Sequence, residues 1–141
     1  MILTDVNVLV YAHRQDLSQY GRFSAWLGEE VDSGRGVALC DVSLAGFLRT
    51  VTNARIFANP TPMDVALQSI EELREHPAAV HIAPGARHWA IFSELCSAVG
   101  ARGNDIPDAY LAALAIESGS ELATADRGFG RFPGLRWSSP V

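Results

Sequence analysis

Apolar and polar positions along this chain switch between a strand-like and a helix-like period, and the switches predict its architecture. Residues 2–10 form a β-branched and apolar run that fits a buried strand, broken at Asp5 and Asn7. Over residues 16–31 the apolar Tyr20, Phe23, Trp26, Leu27 and Val31 recur at helical spacing, and Gly34 and Gly36 end that helix. Residues 37–42 read as a second strand, with Ser43 as the N-cap of a helix carrying Leu44, Phe47, Leu48 and Val51. In Asn59-Pro60-Thr61-Pro62, a turn, Thr61 caps and Pro62 opens a helix that runs to His76. A short strand at 80–83 precedes a helix over 87–99 whose Trp89, Phe92, Leu95 and Cys96 face inward, then a loop at 100–104. Pro107 opens an alanine-rich helix to Ser118, residues 121–124 form a strand, and 135–138 add an edge strand. Strands alternating with helices predict a parallel sheet with helices on its faces. No repeat, low-complexity tract or linker interrupts the pattern, so residues 1–141 are expected to form one domain.

Composition narrows the class. Hydrophobic content of 48% and charged content of 19% belong to a chain able to bury a core. The apolar stretches are broken well before the roughly 18 residues of a membrane span, and no basic region precedes the first of them. A cytoplasmic protein without membrane attachment is expected. Cys40 and Cys96 lack metal-ligand spacing and read as buried thiols. His13, His76, His81 and His88 form no i, i+4 pair of the kind a helical zinc site uses. The net charge of −5 argues against a nucleic-acid partner, yet all 11 basic residues are Arg, whose planar fork suits phosphate.

The candidate chemistry lies in acids far apart in sequence. Asp5 and Asp126 stand at or near the carboxyl ends of apolar runs, and Asp108 in the first turn of a helix, where open α/β sheets bind ligands. Carboxylates brought together there repel and raise one another's pKa unless they share a cation, and hard oxygen donors suit Mg²⁺ or Mn²⁺. Such an ion activates water and offsets transition-state charge in phosphodiester hydrolysis. On a strand, Asp5 and Asn7 share a face, as do Thr124 and Asp126. The alternatives are local: Asp5 caps a following helix, Asp105 and Asp108 serve a helix N-terminus, and Asp126-Arg127-Gly128 is a turn. Arg127 is placed to meet a phosphate.

Four segments, LTDVNVLVYA, AGFLRTVTNARIF, DAYLAALAIESGSELATADRGF and FPGLRWSSP, together resemble the PIN-domain family, in particular VapC-type toxins of type II toxin–antitoxin systems. The resemblance covers nearly the whole chain through the order and spacing of these segments. It implies a three-layer α/β/α sandwich and a Mg²⁺- or Mn²⁺-dependent endoribonuclease that inhibits translation and growth, with tRNA or rRNA among its possible substrates. It further implies a homodimer and a cognate VapB-type antitoxin that reaches the acidic pocket with an Arg or Lys. Asp5, Asp108 and Asp126 take the family's catalytic and metal-binding positions, Asn7 and Thr124 support them, and Asp105 is an additional metal candidate.

One position departs from the family pattern. Gly46 stands in SLAGFLRT where the family commonly has a glutamate. Fewer carboxylates with more water, a substitute acid such as Asp41, or weaker activity would each accommodate it. It also sustains a different reading, a non-catalytic PIN-like module that binds RNA or protein. Phosphoaspartyl chemistry also uses strand-end aspartates with Mg²⁺, but its sites employ a lysine and this chain has none.

Overall fold

Within each short strand, neighbouring side chains point to opposite faces of the sheet, and this parity divides the core of the computed structural model, which describes residues 1–141. The strands are β1 (Ile2–Thr4), β2 (Val37–Leu39), β3 (Ala79–His81), β4 (Glu121–Ala123) and β5 (Trp137–Ser138). Ile2, Val37, Leu39 and Ala123 join one apolar cluster, whereas Leu3, Ala38 and Leu122 join the other. The first cluster is completed by α1 (Val6–His13), α2 (Tyr20–Asp32), α3 (Asp41–Val51) and α4 (Met63–Glu75), the second by α5 (His88–Val99) and α6 (Asp105–Ser118). Helices therefore cover both faces, giving the expected α/β/α sandwich.

The strand order is β3-β2-β1-β4-β5, and every pairing is parallel. The amino-terminal strand thus lies at the centre of the sheet. Its last residue, Thr4, pairs in register with Ala123 of β4. Asp5 and Thr124 consequently leave adjacent strands at the same level.

The first apolar run is not one strand. Extension ends at Thr4; Asp5 keeps an extended backbone (φ −74°, ψ 161°), and its carboxylate accepts the Val6 N–H as the N-cap of α1. Val8, Leu9 and Val10 are buried consecutively, a pattern that a strand covered on both faces and a buried helix share. Asp5 and Asn7 are therefore cap and second helical residue, not neighbours on a strand face. Similarly, β2 stops at Leu39 and α3 begins at Asp41, so Ser43 is buried within the helix, where its hydroxyl accepts from the Cys40 thiol at 3.3 Å. Pro62 occupies the N-cap of α4, and the Thr61 hydroxyl turns to His13 and Arg14 instead. On α5, Leu95 is buried as expected, but Trp89 is 72% exposed. Both cysteines are free, Cys40 buried and Cys96 half-buried.

α6 starts at Asp105, two residues before Pro107. Its Ala109, Ala112, Ala113 and Ala115 are fully buried, and these small side chains let the helix lie close to the sheet. That packing sets the height of Asp108, one turn earlier, above the strand ends.

Candidate active site

The end of the sheet where β1 and β4 stop carries a network centred on one hydroxyl. Thr124 is fully buried, and its Oγ1 donates to Asp5 Oδ2 at 2.7 Å. The same oxygen accepts from the Asp126 N–H at 3.0 Å and from Asn7 Nδ2 at 3.3 Å. Asn7 Oδ1 in turn accepts the Ala125 N–H at 3.1 Å. Asp5 Oδ1 receives the Val6 N–H at 2.7 Å, so each of its oxygens has a donor and the carboxylate plane is fixed. Asp5 is thus a helix cap and a cavity-lining acid at once. Asn7 and Thr124 join Asp5 in one network through α1 and the β4 exit rather than through strand parity.

Asp108 and Asp105 approach from α6. Arg131, which closes a 3-10 turn over Arg127–Arg131, places Nη2 at 3.1 Å from Asp105 Oδ1 and 3.2 Å from Asp108 Oδ2. Asp105 Oδ2 also accepts the Arg102 N–H at 3.2 Å. Asp126 caps the 3-10 turn by accepting the Gly128 N–H at 2.8 Å, so the turn reading of this segment is correct as well. A Cβ at Gly128 would meet Asp126 Oδ1 at 2.9 Å and Arg131 Nη1 at 3.0 Å, so both side chains pack directly over this glycine. The arginine bonded to these acids is Arg131, whereas Arg127, read from the sequence as able to meet a phosphate, is not paired with them. Arg131 was legible only as one more arginine, because the acids it meets lie 26 and 23 positions away and only the fold brings them to it.

Asp5, Asp108 and Asp126 line a single cavity of about 540 Å³, within the usual size range of ligand pockets. Its other walls include Asn7, Tyr11, Gln19, Thr50, Phe57 and Phe129. Asp105 is not among the lining residues; it flanks Asp108 on the far side of Arg131. Burial pushes the Asp5 carboxyl above the ordinary carboxylate range, the Thr124 and Val6 donors pull it down, and the charges of Asp108 and Asp126 push it up again. Burial likewise raises Asp108; Arg131 opposes the rise, while Asp126 and Asp105 add to it.

The Gly46 question has a geometric answer. A Cβ at Gly46 would lie 2.8 Å from Val6 Cγ2, so α3 contacts α1 where any side chain at this position would begin. Thr50, one turn further along α3, lines the cavity instead. Asp41 does not replace the missing acid: its side chain is 97% exposed and lies 3.6 Å from Arg74, away from this cavity.

In this arrangement, with Arg131 against Asp108, no group of three acidic, histidine or cysteine side chains is set as a metal cage. The donor chemistry nevertheless fits a hard divalent ion. The acids of the cavity offer only oxygen, and both Asp5 and Asp108 are raised by burial and by neighbouring carboxylates, the electrostatic deficit that a shared cation relieves. Asp5, Asp108 and Asp126 are the residues able to hold it.

Comparison with known proteins identifies the family. The PIN domain model matches residues 2–135. VapC ribonuclease Mb2897 of Mycobacterium bovis and Ribonuclease VapC43 of Mycobacterium tuberculosis are each 47% identical over 141 residues, covering 100% of this chain and 96% of theirs. Ribonuclease VapC25 of Mycobacterium tuberculosis is 35% identical over 140 residues, 99% of both chains. Among solved structures, VapBC2 from Rickettsia felis bound to a DNA fragment from their promoter shares the fold, with a TM-score of 0.73 at 19% identity over 99% of this chain and 98% of that one. FitAB bound to an IR36 DNA fragment matches with a TM-score of 0.69 at 25% identity, over 99% and 95%. By sequence over its full length and by fold, the chain belongs to the PIN-domain family, among the VapC ribonucleases.

Proposed function

We propose that the chain, working as one PIN domain, is a Mg²⁺- or Mn²⁺-dependent endoribonuclease and the toxin of a type II toxin–antitoxin pair. The observation that carries this reading is the meeting of Asp5, Asp108 and Asp126, from three distant segments, in one cavity at the carboxyl end of a parallel sheet. Relatives at 47% and 35% identity that bear the name ribonuclease support it. The bound ion would supply an activated water and offset charge on the phosphorane-like transition state.

The chain's own groups have distinct roles. Asp5, Asp108 and Asp126 would hold the ion and orient the attacking water for in-line displacement, with no covalent intermediate needed. Thr124 locks the Asp5 carboxylate, as hydrogen bonds to metal-ligating carboxylates do in general, and Asn7 holds Thr124 in place. Asp105 acts through Arg131 rather than as a ligand. No helix is long and apolar enough to cross a membrane; the place of action in this proposal is the cytoplasm. A cognate VapB-type antitoxin would silence the site by presenting an Arg or Lys to these carboxylates, and the toxin would work as a homodimer; VapBC complexes among the structural neighbours favour the antitoxin part of this reading.

The test is cleavage of total cellular RNA by antitoxin-free protein with Mg²⁺, Mn²⁺ or EDTA, beside Asp5→Asn and Asp108→Asn. Asparagine caps a helix about as well as aspartate, so Asp5→Asn removes the charge and keeps α1. Discrete metal-dependent fragments that vanish in both variants are expected. Equal cleavage by the variants, or none by the wild type with either metal, would overturn the proposal.

A further inference from the structure

Arg131 is the cation bonded to the acid cluster, and its anchorage is independent of the acids. Its Nη1 donates to the Gly128 carbonyl, and its Cζ lies 4.4 Å from the centroid of the Phe132 ring. These contacts hold the guanidinium at the rim whether or not the carboxylates are engaged. The acid contacts are weaker in kind. A single nitrogen, Nη2, is shared between Asp105 and Asp108, and the three side chains are 31%, 39% and 32% exposed. Ion pairs this exposed contribute about 0–1 kcal/mol each, so exchanging one for another anion costs little.

The need for such a cation follows from the cavity. Its walls hold Asp5, Asp108 and Asp126 and no Arg, in a chain of net charge −5. A phosphate entering it meets protein charge of its own sign, and Arg131 is the guanidinium already at the edge. Arginine's planar fork matches phosphate oxygens geometrically.

Building on the ribonuclease reading, we propose that Arg131 is the phosphate-binding residue of this site: it rests on Asp105 and Asp108 in the free chain and swings Nη2 onto an RNA backbone phosphate, pivoting on Gly128 and Phe132. Asp105, outside the cavity, is then the resting place of the guanidinium. This gives a role to an acid that borders the site without lining it.

The experiment is binding of a fluorescein-labelled single-stranded RNA that the wild type cleaves, followed by anisotropy across a salt series with Ca²⁺ in place of Mg²⁺. Arg131→Gln, Arg131→Lys and Arg35→Gln are compared with wild type. Arg35 pairs with Glu30 and Glu121 at the other end of β4, so its variant carries the same charge change away from the site. Arg131→Gln is expected to weaken binding about tenfold and to lower the slope of log K against log salt by about 0.7, the loss of one phosphate contact to a single strand. Arg131→Lys should keep the slope and lose about threefold in affinity with the planar fork, and Arg35→Gln should change neither. Wild-type affinity and slope in Arg131→Gln would overturn the proposal; if that variant does not fold, undiminished affinity in Arg131→Lys would do so. Failure of the wild type to bind or cleave any RNA would instead refute the ribonuclease reading on which this one stands.

Discussion

Replacing Thr124 with valine removes one hydroxyl and nearly nothing else, which makes it a direct probe of the network under the acids. Thr124 is fully buried, and its hydroxyl donates to Asp5 at 2.7 Å while accepting from Asp126 N at 3.0 Å and Asn7 Nδ2 at 3.3 Å. A hydrogen bond to a charged group is worth about 1.5–3 kcal/mol and a neutral one about 1, with the longest of the three near the bottom of that range. Thr124→Val should therefore cost about 3 kcal/mol near neutral pH, a large share of the 5–15 kcal/mol typical of a domain. Thr4 supplies the control, being equally buried on the neighbouring strand with a hydroxyl that has no partner. Thr4→Val deletes an unsatisfied group and should be neutral or stabilising by up to about 1 kcal/mol.

The pH dependence has a definite sign. Burial raises Asp5, so the folded chain keeps its proton to higher pH than the unfolded chain does. Ionised Asp5 therefore penalises folding above its folded pKa, and the penalty is relieved as pH falls through that value. Thr124 limits the penalty by bonding the ionised form. Its loss should cost most near pH 7 and about 1 kcal/mol less near pH 4, where the acid is closer to neutral. Urea titrations of both variants at the two pH values, followed by circular dichroism, measure this. Equal costs for Thr4→Val and Thr124→Val, or a Thr124→Val cost that does not change with pH, would refute the reasoning.

Other substitutions probe the remaining contacts. Gly46→Ala gains about 1 kcal/mol of helix propensity but drives its Cβ to 2.8 Å from Val6; overpacking at about 1–3 kcal/mol should outweigh the gain, and Val6→Ala beside it should restore stability in a double-mutant cycle. Arg14 is buried, donates to the Asn59 carbonyl at 2.7 Å and to Asp16 at 2.6 Å, and covers the Phe57 ring at 4.0 Å. Arg14→Gln should cost about 2–4 kcal/mol and speed amide exchange at Ile56 and Phe57, read by hydrogen-exchange mass spectrometry. Trp89→Ser, at a side chain 72% exposed, should leave the melting temperature of the free chain within the equivalent of about 0.5 kcal/mol; a larger loss would mean that the chain buries this tryptophan in solution.

What the sequence determined by itself is what local pattern encodes. The alternation of strand-like and helix-like segments requires a parallel sheet covered on both faces, and Asp5, Asp108 and Asp126 could be singled out because acids beside strand ends and helix starts are either expensive or useful. Where one pattern serves two structures, the tertiary fold had to choose. Val6, Val8, Leu9 and Val10 satisfy a buried strand and a buried helix equally, and they become helix because β1, held between the three-residue strands β2 and β4, ends at Thr4, where Asp5 turns to cap the next N–H. The exposure of Trp89 likewise depends on which face of α5 meets α6, and helical spacing alone cannot decide that. The site shows the same division. Thr124 joins Asp5 across 119 positions of sequence, Arg131 meets Asp105 across 26, and Gly46 lies against Val6 of another helix. Periodicity and capping act over a few residues, whereas these bonds and contacts form only when the chain closes on itself, so only the folded structure decides which donor an acid finds.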